Sequence, residues 1–526
     1  MNPVYEQIIH DIIAKCPKKD REFFAILRKS MAEHKIPPPA KSTLLKAYHK
    51  LAGSGKISAP GGKQFNIEKL LTKRAVRTLS GIAVISVLTK PYDCPGNCLF
   101  CPTEKNMPKS YLSNEPAVMR AIANDFDPYR QVKMRLEALK ANGHSTEKIE
   151  LIVMGGTWSH HDRKYQEWFI KRCFDATNGK TAKNLAAAQK NNESAKQRII
   201  GLTLETRPDH INTEEIIRMR ELGCTRVELG IQHIDDKILR LNRRGHTVKQ
   251  SIAAIRLLKD AGFKLNLHIM LNLYGSTPTK DFAMFKKLYS DDNWMPDMVK
   301  IYPCVVNKYA DLYKIYKQKK YKPYTQKQLI DLIVKIKKIT PPWVRITRLI
   351  RDIPEESIIA GNKTTNLRQL IAHEAKKDGW SCQCIRCREA GHQPDNGGNI
   401  KPKLFIKKYQ ASGGTEYFLS FESADQKIVY AFLRLRMPQD SAGNQFAELR
   451  GASLIRELHT YGQATDIGDK GEVQHLGLGK KLLMEAEKIT RQHSLNKIAV
   501  ISGIGVRPYY NKSGYQLAGT YMAKKL

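Results

Sequence analysis

Apolar residues recur along this chain in two periods, and the change of period divides it. Near the N-terminus Val4, Ile8, Ile9, Ile12 and Ile13 keep helical spacing, Phe23, Phe24, Ile26 and Leu27 begin a second helix, and a third follows the Pro37-Pro38-Pro39 break at Lys41 to Tyr48. From Gly81 short β-rich apolar runs take over. Strands are predicted at 82–87, 149–154, 199–204, 226–230, 264–270 and 298–302, with helices at 211–221, 251–261 and 279–289 between later pairs. Six repeats of strand then helix imply a parallel sheet curled into a partial (β/α)6 barrel of TIM type, whose site lies at the strand C-terminal ends. Beyond Lys401 strands are predicted at 417–421, 428–435 and 453–460, followed by an amphipathic helix at 481–492 carrying Leu482, Leu483, Ala486 and Ile489 on one face.

At 526 residues the chain is too long for one core. The pattern divides it into a basic helical module (1–75), the barrel (76–375), a cysteine-rich joint (376–400) and a C-terminal α/β domain (401–526). Lys and Arg number 88 against 51 Asp and Glu, a net charge of +37, and the first 75 residues hold 15 basic and 6 acidic side chains. Such a field favours a polyanionic partner, RNA above all. The polar start and the lack of a long apolar run predict neither signal peptide nor membrane span, hence the cytoplasm.

The ten cysteines change the picture more than the charge does. Cys94, Cys98 and Cys101 are separated by three and then two residues, and Cys382, Cys384 and Cys387 are equally local; such clusters suit metals better than disulfides. Three thiolates in the first loop match three irons of a [4Fe–4S] cluster and leave one iron open. Cys-x3-Cys-x2-Cys resembles the loop of radical S-adenosylmethionine (SAM) enzymes, in which the open iron chelates SAM. Gly155-Gly156, at the end of the second strand, resembles the glycine motif that receives the methionine amino end there. Glu205 and Arg207, just past the third strand, are placed to orient SAM's ribose or carboxylate, or to close the barrel as an ion pair. The second cysteine group suits a closed zinc site, with His373, His392 and Cys304 as candidates for a fourth ligand. Arg386 and Arg388 beside it, with Arg345, Arg348 and Arg351, form a candidate phosphate-binding surface.

In the C-terminal domain Gln474, Gly477, Leu478 and Gly479 open the amphipathic helix. A glycine loop at a helix start offers backbone N–H groups to pyrophosphate, and this one resembles the CoA loop of GNAT acetyltransferases. By that likeness the strand Glu457-Leu458-His459-Thr460 flanks pantetheine and Tyr510 stands beside the CoA sulfur. Glu457 has two readings, a general base or an ion-pair partner.

Met107 to Leu112, Ile152 to Thr157 and Glu205 to Asp209 together resemble the catalytic subunit of Elongator and its stand-alone bacterial and archaeal relatives, a likeness that covers nearly the whole chain. The chain departs from it at Leu271 to Ser276, where many members have a glycine-proline turn. The resemblance implies a tRNA wobble-uridine acetyltransferase using a [4Fe–4S] cluster, SAM and zinc, with acetyl-CoA as substrate and the anticodon stem-loop as partner, as monomer or homodimer. It also implies that Lys148 contacts acetyl-CoA. The implied chemistry takes hydrogen from the acetyl methyl by way of a SAM-derived radical and ends with a carboxymethyl group on C5. Competing readings are a protein lysine acetyltransferase with a structural cluster and a non-catalytic tRNA-binding assembly subunit.

Overall fold

The computed structural model describes residues 3–17, 20–57, 66–72, 81–392, 401–439, 444–461 and 477–526. Helices Pro3–Lys15, Asp20–His34 and Lys41–Gly53 enclose their own core of Ile8, Ile9, Ile12, Phe23, Leu44 and Leu45.

The central sheet has seven parallel strands in sequence order: β1 (Ile82–Leu88), β2 (Lys148–Met154), β3 (Arg198–Thr206), β4 (Arg226–Gln232), β5 (Lys264–Leu271), β6 (Met298–Pro303) and β7 (Arg345–Arg348). Six of these are the expected strands. The seventh, Arg-Ile-Thr-Arg, is four residues long with one apolar side chain, too little for a periodic signal. The sheet is an open half-barrel, since β1 and β7 are its two edges. Alternation sets its two faces. Ala83, Ile85, Val87, Ile149, Leu151 and Val153 pack into the core shared with the outer helices. Ile82, Val84, Ser86, Lys148, Glu150 and Ile152 therefore face the lumen.

The C-terminal domain is a second seven-stranded sheet, mixed in direction: β8 (Lys403–Ala411), β9 (Gly414–Glu422), β10 (Val429–Pro438), β11 (Ala452–Thr460), β12 (Lys497–Val500), β13 (Gln516–Ala518) and β14 (Tyr521–Lys525), in the spatial order 13-14-12-11-10-9-8. β11 and β12 run parallel and pair only over Ala452–Ile455 and Lys497–Val500. Past Ile455 they separate, and Glu457 to Thr460 stay bonded to β10 alone. Helix Leu478–Gln492 packs Leu482, Leu483, Ala486 and Ile489 on this sheet.

The two sheets are locked together through charge. Arg434, Arg436 and Arg456 are each fully buried. Arg456 donates to Asp297 Oδ1 (2.8 Å) and Glu416 Oε2 (3.2 Å), Arg436 to Asp260 Oδ1 (2.6 Å), and Arg434 to the Trp343 carbonyl (2.7 Å). Gly503 and Gly505 supply close approach: a Cβ at Gly503 would lie 2.1 Å from the Ile200 carbonyl oxygen, and one at Gly505 2.6 Å from Arg198 Cβ. The C-terminal domain is thereby pressed against the start of β3.

Of the arginines proposed as a phosphate surface, Arg345, Arg351 and Arg388 turn inward, while Arg348 stays exposed and Arg386 half-buried. Arg388 is buried on Glu422 (2.7 Å), Arg345 pairs with Glu389 (2.7 Å), and Arg351 is bound to Ser110. Arg386 pairs with Glu389 and Arg348 with Asp352. The partners of Arg345, Arg351 and Arg388 are distant in sequence, whereas those of Arg386 and Arg348 lie only three and four residues ahead.

Candidate functional site

The loop after β1 carries Cys94, Cys98 and Cys101 to the C-terminal end of the barrel. Cys94 Sγ lies 3.6 Å from Thr157 Oγ1 and receives the Gly96 amide at 3.4 Å, while Cys98 Sγ receives Arg244 Nη1 at 3.0 Å. Arg207, from the turn after β3, donates to both oxygens of Asp209 (3.0 and 2.7 Å) and to the Arg244 carbonyl (2.8 Å). Its Nη1 has no partner among the described residues and stands 2.2 Å from where a Cβ on Gly96 would be. Gly155 (φ +136°) and Gly156 (φ +98°) leave β2 in the left-handed region, where a side chain is strained. A Cβ on Gly155 would lie 1.9 Å from Thr89 Oγ1, itself buried and unpartnered among the described residues. Free donors, an unobstructed glycine cradle and three thiols at one strand end fit a [4Fe–4S] cluster with SAM beside it.

Below the loop the lumen holds a polar cluster that periodicity alone did not reveal. Glu228 Oε2 accepts from His268 (2.9 Å) and is in contact with Lys300; Glu205 lies 3.8 Å from Lys300 and accepts from Tyr111 (2.8 Å). Burial raises the Glu205 carboxyl to about 7, the neighbouring Glu228 charge adding to the rise against the pull of Lys300. Burial disfavours a charged Glu228 as well, yet Lys300 and His268 hold it well below the usual carboxylate range. His268 is thus a satisfied interior histidine.

The second site lies at the opposite ends of the same strands. A cavity of about 570 Å³ separates the N-terminal ends of the barrel strands from the split between β11 and β12. Lys148, Glu457, Leu458, His459, Thr460, Gly479 and Tyr510 all line it, which brings together residues from distant parts of the sequence. Gly477 (φ +68°) starts helix Leu478–Gln492, and a Cβ at Gly479 would come within 2.9 Å of the Tyr509 hydroxyl. Gln474 lies outside the described residues. Burial, with Tyr509 beside it, pushes the Tyr510 phenol above its ordinary value, so it stays protonated. Glu457 takes its ion-pair reading: Arg434 Nε donates to it at 2.9 Å and Lys264 lies 3.9 Å away. Those cations outweigh burial and hold its carboxyl below the ordinary range, which suits an ion pair and not a base. The cavity's cationic rim, Arg198, Arg226 and Lys264 with Lys148, comes from residues at strand starts that sequence reasoning passed over except Lys148.

Cys382, Cys384 and Cys387 bring their sulfurs within 4.8 Å of one another, a spacing for one tetrahedral ion. Lys337 Nζ donates to Cys387 Sγ at 3.4 Å. Of the candidate fourth ligands, His373 is exposed. Cys304 is buried in a different apolar cluster with Tyr321. The His392 side chain is outside the described set.

A Radical SAM superfamily model matches residues 90–285, and a Radical SAM C-terminal domain model matches 296–377. The chain is similar to the tRNA uridine(34) acetyltransferase of Methanocaldococcus jannaschii, 47% identical over 472 residues covering 87% of each chain. It is 43% identical to the protein of the same name from Dehalococcoides mccartyi over 464 residues, 86% of this chain and 100% of that one. Elongator complex protein 3 of Homo sapiens is 39% identical over 473 residues, 87% of this chain and 86% of its own length. Among solved structures, an N-terminally truncated Methanocaldococcus infernus Elp3 superimposes with a TM-score of 0.76 at 43% identity, covering 85% of this chain and 100% of its own.

Proposed function

The chain belongs to the family that unites tRNA uridine(34) acetyltransferases with Elongator complex protein 3, and from that premise we propose that it modifies C5 of the tRNA wobble uridine, drawing two carbons from acetyl-CoA and leaving a carboxymethyl group. One observation carries the reading: a three-thiol loop with a glycine cradle and a GNAT-like cleft occupy the two ends of one set of barrel strands.

When bound, the [4Fe–4S] cluster and SAM supply one-electron chemistry, which suits a uracil carbon too weakly nucleophilic to be acylated directly. Cys94, Cys98 and Cys101 are the residues to hold the cluster. Gly155 and Gly156 present backbone to the methionine end of SAM, while Arg207, fixed by Asp209, supplies positive charge at the barrel mouth with Glu205 nearby. Gly477, Leu478 and Gly479, with Gln474, bind the CoA pyrophosphate at the helix start. The strand Glu457 to Thr460 presents pantetheine with backbone groups freed by the separation of β11 and β12. Lys148 faces the acyl end across the cavity, and the protonated Tyr510 donates a hydrogen bond to a departing thiolate.

Residues 76–375 act as the radical unit, 401–526 as the acetyl-CoA unit, and 376–400 as a zinc-stapled joint through Cys382, Cys384 and Cys387. The basic module 1–75 and the net charge grip tRNA phosphates while the anticodon base is turned out of its stack. Among the described residues no helix is long and apolar enough to cross a membrane, in keeping with a cytoplasmic tRNA enzyme. A lysine acetyltransferase needs a free base where Glu457 is committed to Arg434 and Lys264, which counts against that alternative. In Cys98→Ala, product formation is lost and tRNA binding persists; full product formation by that variant refutes the assignment.

A further inference from the structure

The two sites sit at opposite ends of the barrel, so a two-carbon unit held at one must come within reach of the other. We propose that the barrel lumen is the passage: the acyl end of the CoA thioester rises from the cavity into the barrel along the β1–β2 wall. This deepens the acetyl-CoA reading and rests on it.

Three observations lead there. First, the cavity does not stop at the sheet's lower rim. It is lined by Val84 and Glu150, two residues into β1 and β2, and by Thr347 across the lumen. Second, the β1–β2 wall stays open above that level. Parallel strands are ordinarily buried on both faces, yet Val84 is 43% exposed midway along β1, and Ser86, Ile152 and Met154 higher up are all partly accessible. From Val84 to Leu88, the last residue of β1, the remaining climb is four residues, about 13 Å. Third, the opposite wall is polar from end to end. Thr347 at the cavity meets Asn266 (3.3 Å), Asn266 donates to Glu228 (3.1 Å), Lys300 links Glu228 to Glu205, and Tyr111 from the segment after the cysteine loop donates to Glu205. A wall that sets the apolar Val84 and Ile152 beside Ser86 and Glu150, facing a hydrogen-bonding one, suits pantetheine, a chain of methylenes and amides.

Disulfide trapping tests this without turnover. The cluster-loaded protein keeps Cys94, Cys98 and Cys101 ligated, and the probe is the mixed disulfide of coenzyme A with 2-thiopyridine. An introduced thiolate attacks the CoA sulfur, the probe's S–S bond breaks, pyridine-2-thiolate leaves with its electron pair, and a protein–CoA disulfide remains. Single variants place a thiol in the cleft (Val506→Cys), at the cavity's inner end (Val84→Cys) and in the lumen (Ser86→Cys, with Ile152→Cys on the neighbouring strand as a second probe of the same level). Peptide mass mapping reads the site. The expected result is CoA attached at all these levels, slowed at least tenfold by excess acetyl-CoA. Labelling at 506 alone, or lumen labelling that acetyl-CoA leaves unchanged, overturns the passage and leaves the CoA cleft standing. Labelling at none of them overturns the acetyl-CoA reading and the passage with it.

Discussion

Replacing Asp297 by alanine should cost the protein about 3 kcal/mol and weaken its hold on acetyl-CoA, because this one carboxylate joins the two domains that wall the cavity. Asp297 immediately precedes β6 and is fully buried. It accepts from Arg456 Nη1 (2.8 Å) and the Leu265 amide (2.9 Å) and lies 3.9 Å from Arg434. Breaking a buried ion pair by removing one partner costs roughly 3–5 kcal/mol, since the other charge stays desolvated. Here the loss falls near the lower end: Arg456 keeps Glu416 (3.2 Å) and the Phe263 carbonyl (2.9 Å), and Arg434 keeps Glu457 (2.9 Å). The same residue sets an acid limit. Burial opposes its ionisation, but Arg456, Lys259 and Arg434 overcome that and hold the carboxyl below its ordinary 3.8. With the folded value below the unfolded one, the stabilisation is fully present above about pH 4 and is lost as the pH falls through the folded value. Urea unfolding at pH 7 and pH 3.5 measures both effects: Asp297→Ala should unfold at lower urea at pH 7, and the gap from the unsubstituted protein should narrow at pH 3.5. A loss below about 1 kcal/mol at pH 7, or a gap independent of pH, refutes the reasoning.

Gly155→Ala places a methyl in Thr89 at φ +136°; SAM affinity measured by equilibrium dialysis on cluster-loaded protein should fall at least tenfold, and unchanged affinity would show that the cradle is not used. Tyr510→Phe should slow product formation roughly 100-fold, with acetyl-CoA affinity within about threefold; a normal rate removes the phenol from the reaction. Cys384→Ser should take zinc from one equivalent per chain to near zero by elemental analysis, and full zinc retention rules out this site.

The candidate site was legible where it is local. The cysteine loop, Gly155-Gly156 and the glycine-started helix are short segments, so a family resemblance can mark them directly in the sequence. The two-ended arrangement is not local. Lys148 reads as a lysine at a strand start, and only the packing of the second sheet under the barrel gives it a cavity to face. Glu228, Lys300 and Asn266 lie on three different strands, and only the curl of the sheet brings them into one cluster. Charge misled for a physical reason: Arg345 and Arg388 have the composition of a solvated surface, but each is satisfied by a carboxylate distant in sequence. β8 escaped notice because its apolar residues do not keep to one face, Leu404 and Ile406 lying exposed with Lys408 while Phe405 and Tyr409 lie with Lys407 on the other, and β12 because it is only four residues long.

The central claim is that one chain couples its thiol loop to its acetyl-CoA cleft in order to modify tRNA. Anaerobic incubation of the cluster-reconstituted, reduced protein with SAM, acetyl-CoA and tRNA, followed by nucleoside mass spectrometry, tests it most directly. The account predicts 5-carboxymethyluridine at the wobble position, absent when SAM or acetyl-CoA is left out. Acetyl transfer to a lysine peptide that proceeds equally without SAM, with tRNA left unmodified, would contradict it.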